Sequence, residues 1–192
     1  LFPMISRIHE IDAALDLQDR AYSDLTAEGH AAAKPHIGTM NEVPSAAYII
    51  AELARRVDFF SIGTNDLTQY LLAVDRSNPL VQGRHDNLHP AVVHFVGDIV
   101  QRAHRQNKPV GVCGEMAGDP ATALLLIGLG VDSLSMTPSS LPRIKWTIRS
   151  FTMQQLRGLA DKALMIDNEV DTHRLLNRAL KAAGLNALVR EN

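Results

Sequence analysis

The sequence predicts an α/β chain that is the C-terminal portion, about five strands, of a (β/α)8 TIM barrel. Three observations lead there. Short apolar runs alternate with longer segments of helical period, so strand and helix take turns along the chain. The intervening segments are too long for hairpins, which requires mainly parallel pairing. Polar groups suited to reaction fall just after the second, third, fourth and fifth runs: Glu42, then Asn65 and Asp66, then Cys113 and Glu115, then Ser139 and Ser140. A barrel brings every such strand end to one mouth. An open doubly wound sheet fits the same element order but favours a single crevice at its switch point.

Taken in order, residues 1–5 are expected as a short buried strand in which Pro3 removes one ladder donor. Ser6 can cap the following helix, where Ile8, Ile11, Leu15, Tyr22 and Leu25 recur at helical spacing until Gly29. Residues 37–43 make the second strand, ended by Pro44, and 45–54 have alanine-rich helical character. Val57, Phe59, Phe60 and Ile62, with Ser61 among them, make a third strand that Gly63 and Thr64 break before a helix over 67–74. The polar stretch 75–89 is the longest loop. A helix over about 90–106 carries Val92, Val93, Val96, Ile99, Val100 and Ala103 on one broad face, with Pro90 in its first turn. Residues 109–113 and 131–136 are the fourth and fifth strands, separated by a Gly-Glu-Met-Ala-Gly-Asp turn and a short helix over 120–127. Helices over 143–149, 152–164 and 169–183, the last ended by Gly184, follow without another strand.

At 192 residues the chain can bury one good core, so residues 1–192 are expected to form one partial barrel domain. Hydrophobic residues at 46% and charged residues at 21% are the balance of an ordered globular protein. The net charge of -2 gives no global attraction to nucleic acid or to an anionic membrane, so any anion site must come from individual residues. No apolar run approaches the ~20 residues of a membrane span. The lone Cys113 excludes an internal disulfide framework, and a cytoplasmic setting is the simpler inference. The abrupt apolar opening, LFPMI, reads as a core strand whose upstream part is missing.

Glu42 precedes Pro44 at one strand end, and Asp66 occupies the equivalent place after the next strand. Two hard carboxylates at neighbouring strand ends, completed by phosphate and water oxygens, suit Mg2+. Either acid alone serves equally as a helix cap or a surface charge. Gly63, Thr64 and Asn65 lie between a buried strand and a helix, where backbone N–H groups can receive an anion. Arg76 can clamp a phosphate, or form a structural ion pair with Asp75, Asp86 or Glu115. Cys113 is either an inert core thiol or, beside Gly114 and Glu115, a proton donor. His89 stands at a helix start, and the other seven histidines, His173 among them, are scattered without metal spacing. Ser139 and Ser140 read as helix caps, and Arg143, Lys145 and Arg149 as a basic face that pairs with acids.

The segment DFFSIGTNDLTQYLLAVDR at 58–76 resembles the signature of the phosphoenolpyruvate-utilising enzymes, the family of Enzyme I of the phosphotransferase system and of pyruvate phosphate dikinase. LFPMI at the start, IGTMNEVPSA at 37–46, VCGEMAGDP at 112–120 and LGVDSLSMTPSSLPRIK at 129–145 are similar to the family's remaining strand-end motifs, in the same order. The lack of dikinase-type insertions favours the phosphotransferase branch, in either its sugar or its nitrogen form. The resemblance implies an eight-stranded barrel that binds phosphoenolpyruvate and Mg2+ and passes the phosphoryl group to a histidine on a separate domain. From there it reaches a small phosphocarrier protein, and pyruvate is released. The resemblance makes Glu42 and Asp66 the metal ligands, Asn65 a substrate anchor, Arg76 a phosphate-binding arginine and Cys113 the proton donor to C3 of the enolate, with Gly114 and Glu115 beside it. It also implies a homodimer.

Asn41 stands where the family has a compact or aliphatic residue, so it must face a polar layer or find a buried partner. Two further phosphate-binding arginines and the phosphohistidine domain, which the family places upstream, are not in this sequence. The 192-residue chain by itself is therefore expected to be inactive and to cover its open barrel edge by association. A dikinase or related barrel enzyme of phosphoenolpyruvate or pyruvate, and a non-catalytic dimerisation module, are the competing readings.

Overall fold

The computed structural model describes residues 1–189. Its sheet comprises Gly38–Met40 (β1), Phe59–Gly63 (β2), Val110–Cys113 (β3) and Ser133–Ser135 (β4), all parallel and ordered β1-β2-β3-β4. Strands that neighbour one another in chain order, with no reversal, are the order of a barrel wall and not of a doubly wound sheet, whose order reverses at a switch point. Nine helices are formed among the described residues. They are Ile8–Ala27 (α1), Ile50–Leu53 (α2), Thr64–Leu72 (α3), Pro90–His104 (α4), Glu115–Gly118 (α5), Pro120–Gly128 (α6), Leu141–Arg149 (α7), Met153–Ala163 (α8) and Glu169–Ala182 (α9). None is long and apolar enough to cross a membrane.

Strand alternation divides the sheet into two faces. Phe60, Ile62, Val110 and Val112 are buried against the helices, in one core with Leu67, Val92, Val96, Val100, Leu124 and Leu125. The other face carries Phe59, Ser61, Gly111, Cys113, Ser133 and Ser135, which with Met40 border an open groove of about 840 Å3. The core continues into the C-terminal helices. Leu156, Leu159, Ala160 and Ala163 of α8 and Leu176 and Leu180 of α9 are buried, and α6 packs closely on α8.

Local chemistry fixes the helix ends. The Asp119 carboxylate accepts the N–H groups of Ala121 and Thr122 at the start of α6, and Thr152 with Gln155 forms a capping box on α8. At the N-terminal end of the sheet, the Asp132 carboxylate accepts Val110 N–H at 2.7 Å and lies 2.8 Å from His104 Nε2, tying β4 to β3 and α4.

The first expected strand does not form. Residues 1–5 make one parallel bridge, Phe2 to Thr39, because Pro3 has no N–H to continue the ladder and Met4 adopts a positive φ of 57°. The sheet therefore has four strands, not five. Ser6 does not cap α1; Glu10 reaches back to the N–H groups of Ser6 and Arg7. Only Ile11 of the α1 stripe is buried, and Leu25 is exposed. Pro44–Ile49 is a 3₁₀ turn ahead of a four-residue α2. The expected Gly-Glu-Met-Ala-Gly-Asp turn contains α5, and the 75–89 loop contains a 3₁₀ turn at Gln82–Arg84.

Candidate active site at the strand ends

Strand register assembles the site. Met40 pairs with Ser61, Gly63 with Cys113 and Cys113 with Ser135. Two residues beyond Met40, Glu42 comes level with Gly63. A row of Glu42, Gly63, Cys113 and Ser135 thus crosses the C-terminal ends of all four strands.

Glu42 is 97% removed from solvent, and its Oε1 accepts the Met4 N–H at 2.8 Å. Its space exists because residue 63 is glycine: a Cβ there would stand 2.7 Å from Glu42 Oε2 and 2.9 Å from Met40 Sδ. Burial pushes the Glu42 carboxyl above its ordinary pKa. The Met4 N–H opposes that rise, while the charge of Asp66 and a carboxyl–carboxyl hydrogen bond to it add to it. The two predicted metal ligands therefore stand side by side. Among the described residues no group of three His, Cys, Asp or Glu side chains converges. Two carboxylate ligands alone would leave a small hard cation most of its oxygen positions to fill from elsewhere.

Asp66 and Asn65 lie in the first turn of α3, which begins at Thr64, earlier than its apolar pattern suggests. Arg76 pairs with Asp66, Nη2 to Oδ1 at 3.2 Å, and not with Asp75, Asp86 or Glu115. Asn65 joins this half of the site to the other: its Oδ1 receives a long 3.5 Å hydrogen bond from Glu115 N–H. Thr64 Oγ1 donates to the Cys113 carbonyl at 3.1 Å. Gly114, at φ 104°, turns the chain away from β3 into α5.

The Cys113 thiol is half-buried, 3.5 Å from the Ile62 carbonyl and 3.7 Å from Ser61 Oγ. It borders both the open sheet face and a cavity of about 530 Å3 shared with Asn65, Glu115, Thr137, Ser140 and Arg143. Arg143 is a site residue that sequence reasoning missed. It was expected to pair with acids, but its Nη2 donates to the Gly118 carbonyl and to Ser140 Oγ, both at 3.0 Å. Ser140 accordingly makes no side-chain cap to α7. The Asn41 side chain finds no partner among the described residues. Both atoms of its amide are buried without a hydrogen bond among the described residues, as is Thr39 Oγ1.

A parallel barrel wall here gathers paired carboxylates, an arginine and a thiol at one end, where the active sites of barrel enzymes sit. The sequence matches the PEP-binding domain of the PEP-utilising enzymes over residues 1–153. The chain belongs to that family. It is 40% identical over 191 residues to a Salmonella typhimurium protein named phosphoenolpyruvate-dependent phosphotransferase system, covering 99% of this chain and 26% of that protein. To a phosphoenolpyruvate-protein phosphotransferase of Haemophilus influenzae it is 40% identical over 187 residues, 97% of this chain and 32% of that protein. A multiphosphoryl transfer protein of Xanthomonas campestris is 44% identical over 167 residues, 87% of this chain and 19% of that protein. The chain thus spans between about a fifth and a third of the length of these relatives.

Proposed function

We propose that this chain supplies the phosphoenolpyruvate and Mg2+ site of a phosphoenolpyruvate-protein phosphotransferase. The observation that carries the reading is the row of Glu42, Gly63 and Cys113 across the strand ends, with Asp66 beside Glu42. Glu42 and Asp66 would hold Mg2+, which would supply charge neutralisation to the phosphate. Arg76, already bonded to Asp66, offers a guanidinium to the same phosphate. Asn65 and the N–H groups opening α3 orient the anion. As the phosphoryl group leaves for a histidine of the whole protein, and then for a small phosphocarrier protein, the enolate oxygen keeps the bond electrons. The Cys113 thiol protonates C3, giving pyruvate and a thiolate that solvent reprotonates.

A cytoplasmic setting, where a free thiol persists, accompanies this reading. So does self-association, for which Trp146 and Leu141 on α7 and Met153 on α8 offer exposed apolar surface. The test is calorimetry of phosphoenolpyruvate binding to the full-length protein with and without Mg2+. Glu42→Ala and Asp66→Ala should each abolish the Mg2+-dependent part, and unchanged binding in either variant overturns the assignment.

A further inference from the structure

Outside the strand-end row, the most connected cluster of titratable side chains lies where the 85–89 segment meets α9. His173 Nε2 is 3.0 Å from Asp86 Oδ2. Asp86 Oδ1 accepts the Leu88 N–H at 2.7 Å. The neighbours of Asp86 then grip α3: His85 Nε2 lies 3.1 Å from the Asn65 carbonyl, and buried Thr68 donates to Asn87 Oδ1 at 2.7 Å. His85, Asp86, Glu115 and His173 border one cavity of about 270 Å3, adjoining the active site through Glu115.

We infer that His173 is a positioning residue for the phosphoenolpyruvate site: through Asp86 it holds residues 85–87 against the first turn of α3, which carries Asn65 and Asp66. This rests on the function proposed above. The physical basis is a loop that has to be held in place from outside. Residues 73–89 run from the left-handed end of α3 at Ala73 back along that helix to α4, with only a 3₁₀ turn at Gln82–Arg84 inside. Such a segment keeps one geometry only where side chains fasten it. His173 is a fastening that reaches it from α9, which lies beyond the matched residues 1–153.

The contact is also conditional on pH. The hydrogen bond to Asp86 raises the His173 pKa more than burial lowers it, with Asp119 and Glu169 adding to the rise. Burial pushes Asp86 up, but the bonds from His173 and Leu88 N–H, with the charges of His173 and His89, bring it below its ordinary value. Glu115 and His85 face the same cavity. The ionic form of the clamp therefore holds between the lowered Asp86 value and the raised His173 value. It weakens as pH rises through the latter.

The test uses the full-length protein as wild type, His173→Ala, His173→Gln and, from the other side of the contact, Asp86→Asn. Hydrogen exchange over 64–68 and 85–89 is followed from pH 6 to 9, beside calorimetric phosphoenolpyruvate affinity. In the wild type, protection of both segments should step down as His173 loses its proton. In His173→Ala and Asp86→Asn protection should be low throughout, with phosphoenolpyruvate bound about three- to tenfold more weakly. His173→Gln, which keeps a donor but no titration, should restore part of the protection and remove the step. Wild-type protection and an unshifted pH step in folded variants overturn the inference. Wild-type protein that shows the step but binds no phosphoenolpyruvate overturns the proposed function and leaves the clamp standing.

Discussion

Gly63→Ala tests whether the space around Glu42 is what makes the proposed metal pair. The backbone at residue 63 has φ -85°, which alanine adopts without strain, so the whole effect is steric. The new Cβ would stand 2.7 Å from Glu42 Oε2 and 3.1 Å from Glu42 Cβ, where ordinary contacts begin near 3.4 Å. Overfilling a packed position costs about 1–3 kcal/mol. Glu42 has two ways to respond. If its carboxylate stays, held by the Met4 N–H, the protein carries the strain, and melting falls by roughly 2–4 °C per kcal/mol. If it swings away, the strain reappears on binding, when the carboxylate must return to the proposed cation position. At about 1.4 kcal/mol per factor of ten, affinity then drops roughly 5- to 150-fold. Stability loss and affinity loss should together account for about 1–3 kcal/mol. Differential scanning calorimetry with Mg2+-dependent titration of phosphoenolpyruvate measures both. A variant with wild-type melting and wild-type affinity would refute the claim that Glu42 is confined against residue 63.

Three other outcomes are expected. Cys113→Ala should spare phosphoryl transfer to histidine while slowing pyruvate formation by about 10²–10⁴-fold; equal loss of both steps makes the thiol structural. Thr39→Val removes a buried hydroxyl without a partner among the described residues, so thermal unfolding should show a gain of about 1 kcal/mol, and a loss would mean that the hydroxyl is bonded. Asp132→Asn keeps an acceptor for Val110 N–H but removes the charge. Burial pushes Asp132 up, yet the Val110 N–H and His104 bring it below the ordinary carboxylate value. Its contribution is therefore present above the unfolded Asp pKa and lost as pH falls through the lowered value. Denaturant melts of the two proteins should differ near pH 7 and converge in acid; a gap that persists in acid refutes the linkage.

The parallel order was legible because Phe60, Ile62, Val110 and Val112 form apolar runs separated by long crossovers, and that pattern has few solutions. The candidate site's main members were legible for a related reason: Glu42, Asp66 and Cys113 fall at or just beyond the ends of those runs, and parallel register brings strand ends to one edge. What escaped was set by local backbone conformation or by contacts between residues far apart in sequence. Whether residues 1–5 continue a ladder depends on the φ of Met4. Arg143 meets Gly118 across 25 positions and His173 meets Asp86 across 87, distances at which no periodicity or spacing rule operates. For Arg76 the sequence offered Asp75, Asp86 and Glu115 as ion-pair partners, and it pairs instead with Asp66 in the first turn of α3.

The burial of Leu156, Leu159, Leu176 and Leu180 beside Leu124 and Leu126 separates two notions of a boundary. Similarity to the family's defining domain stops at residue 153, but the apolar interior does not. Residues 154–189 are therefore expected to unfold together with the barrel wall. The bounds of a family's defining domain and the stretch of polypeptide expected to melt as one need not coincide, and the similarity to the relatives, which runs over as many as 191 residues, follows the second.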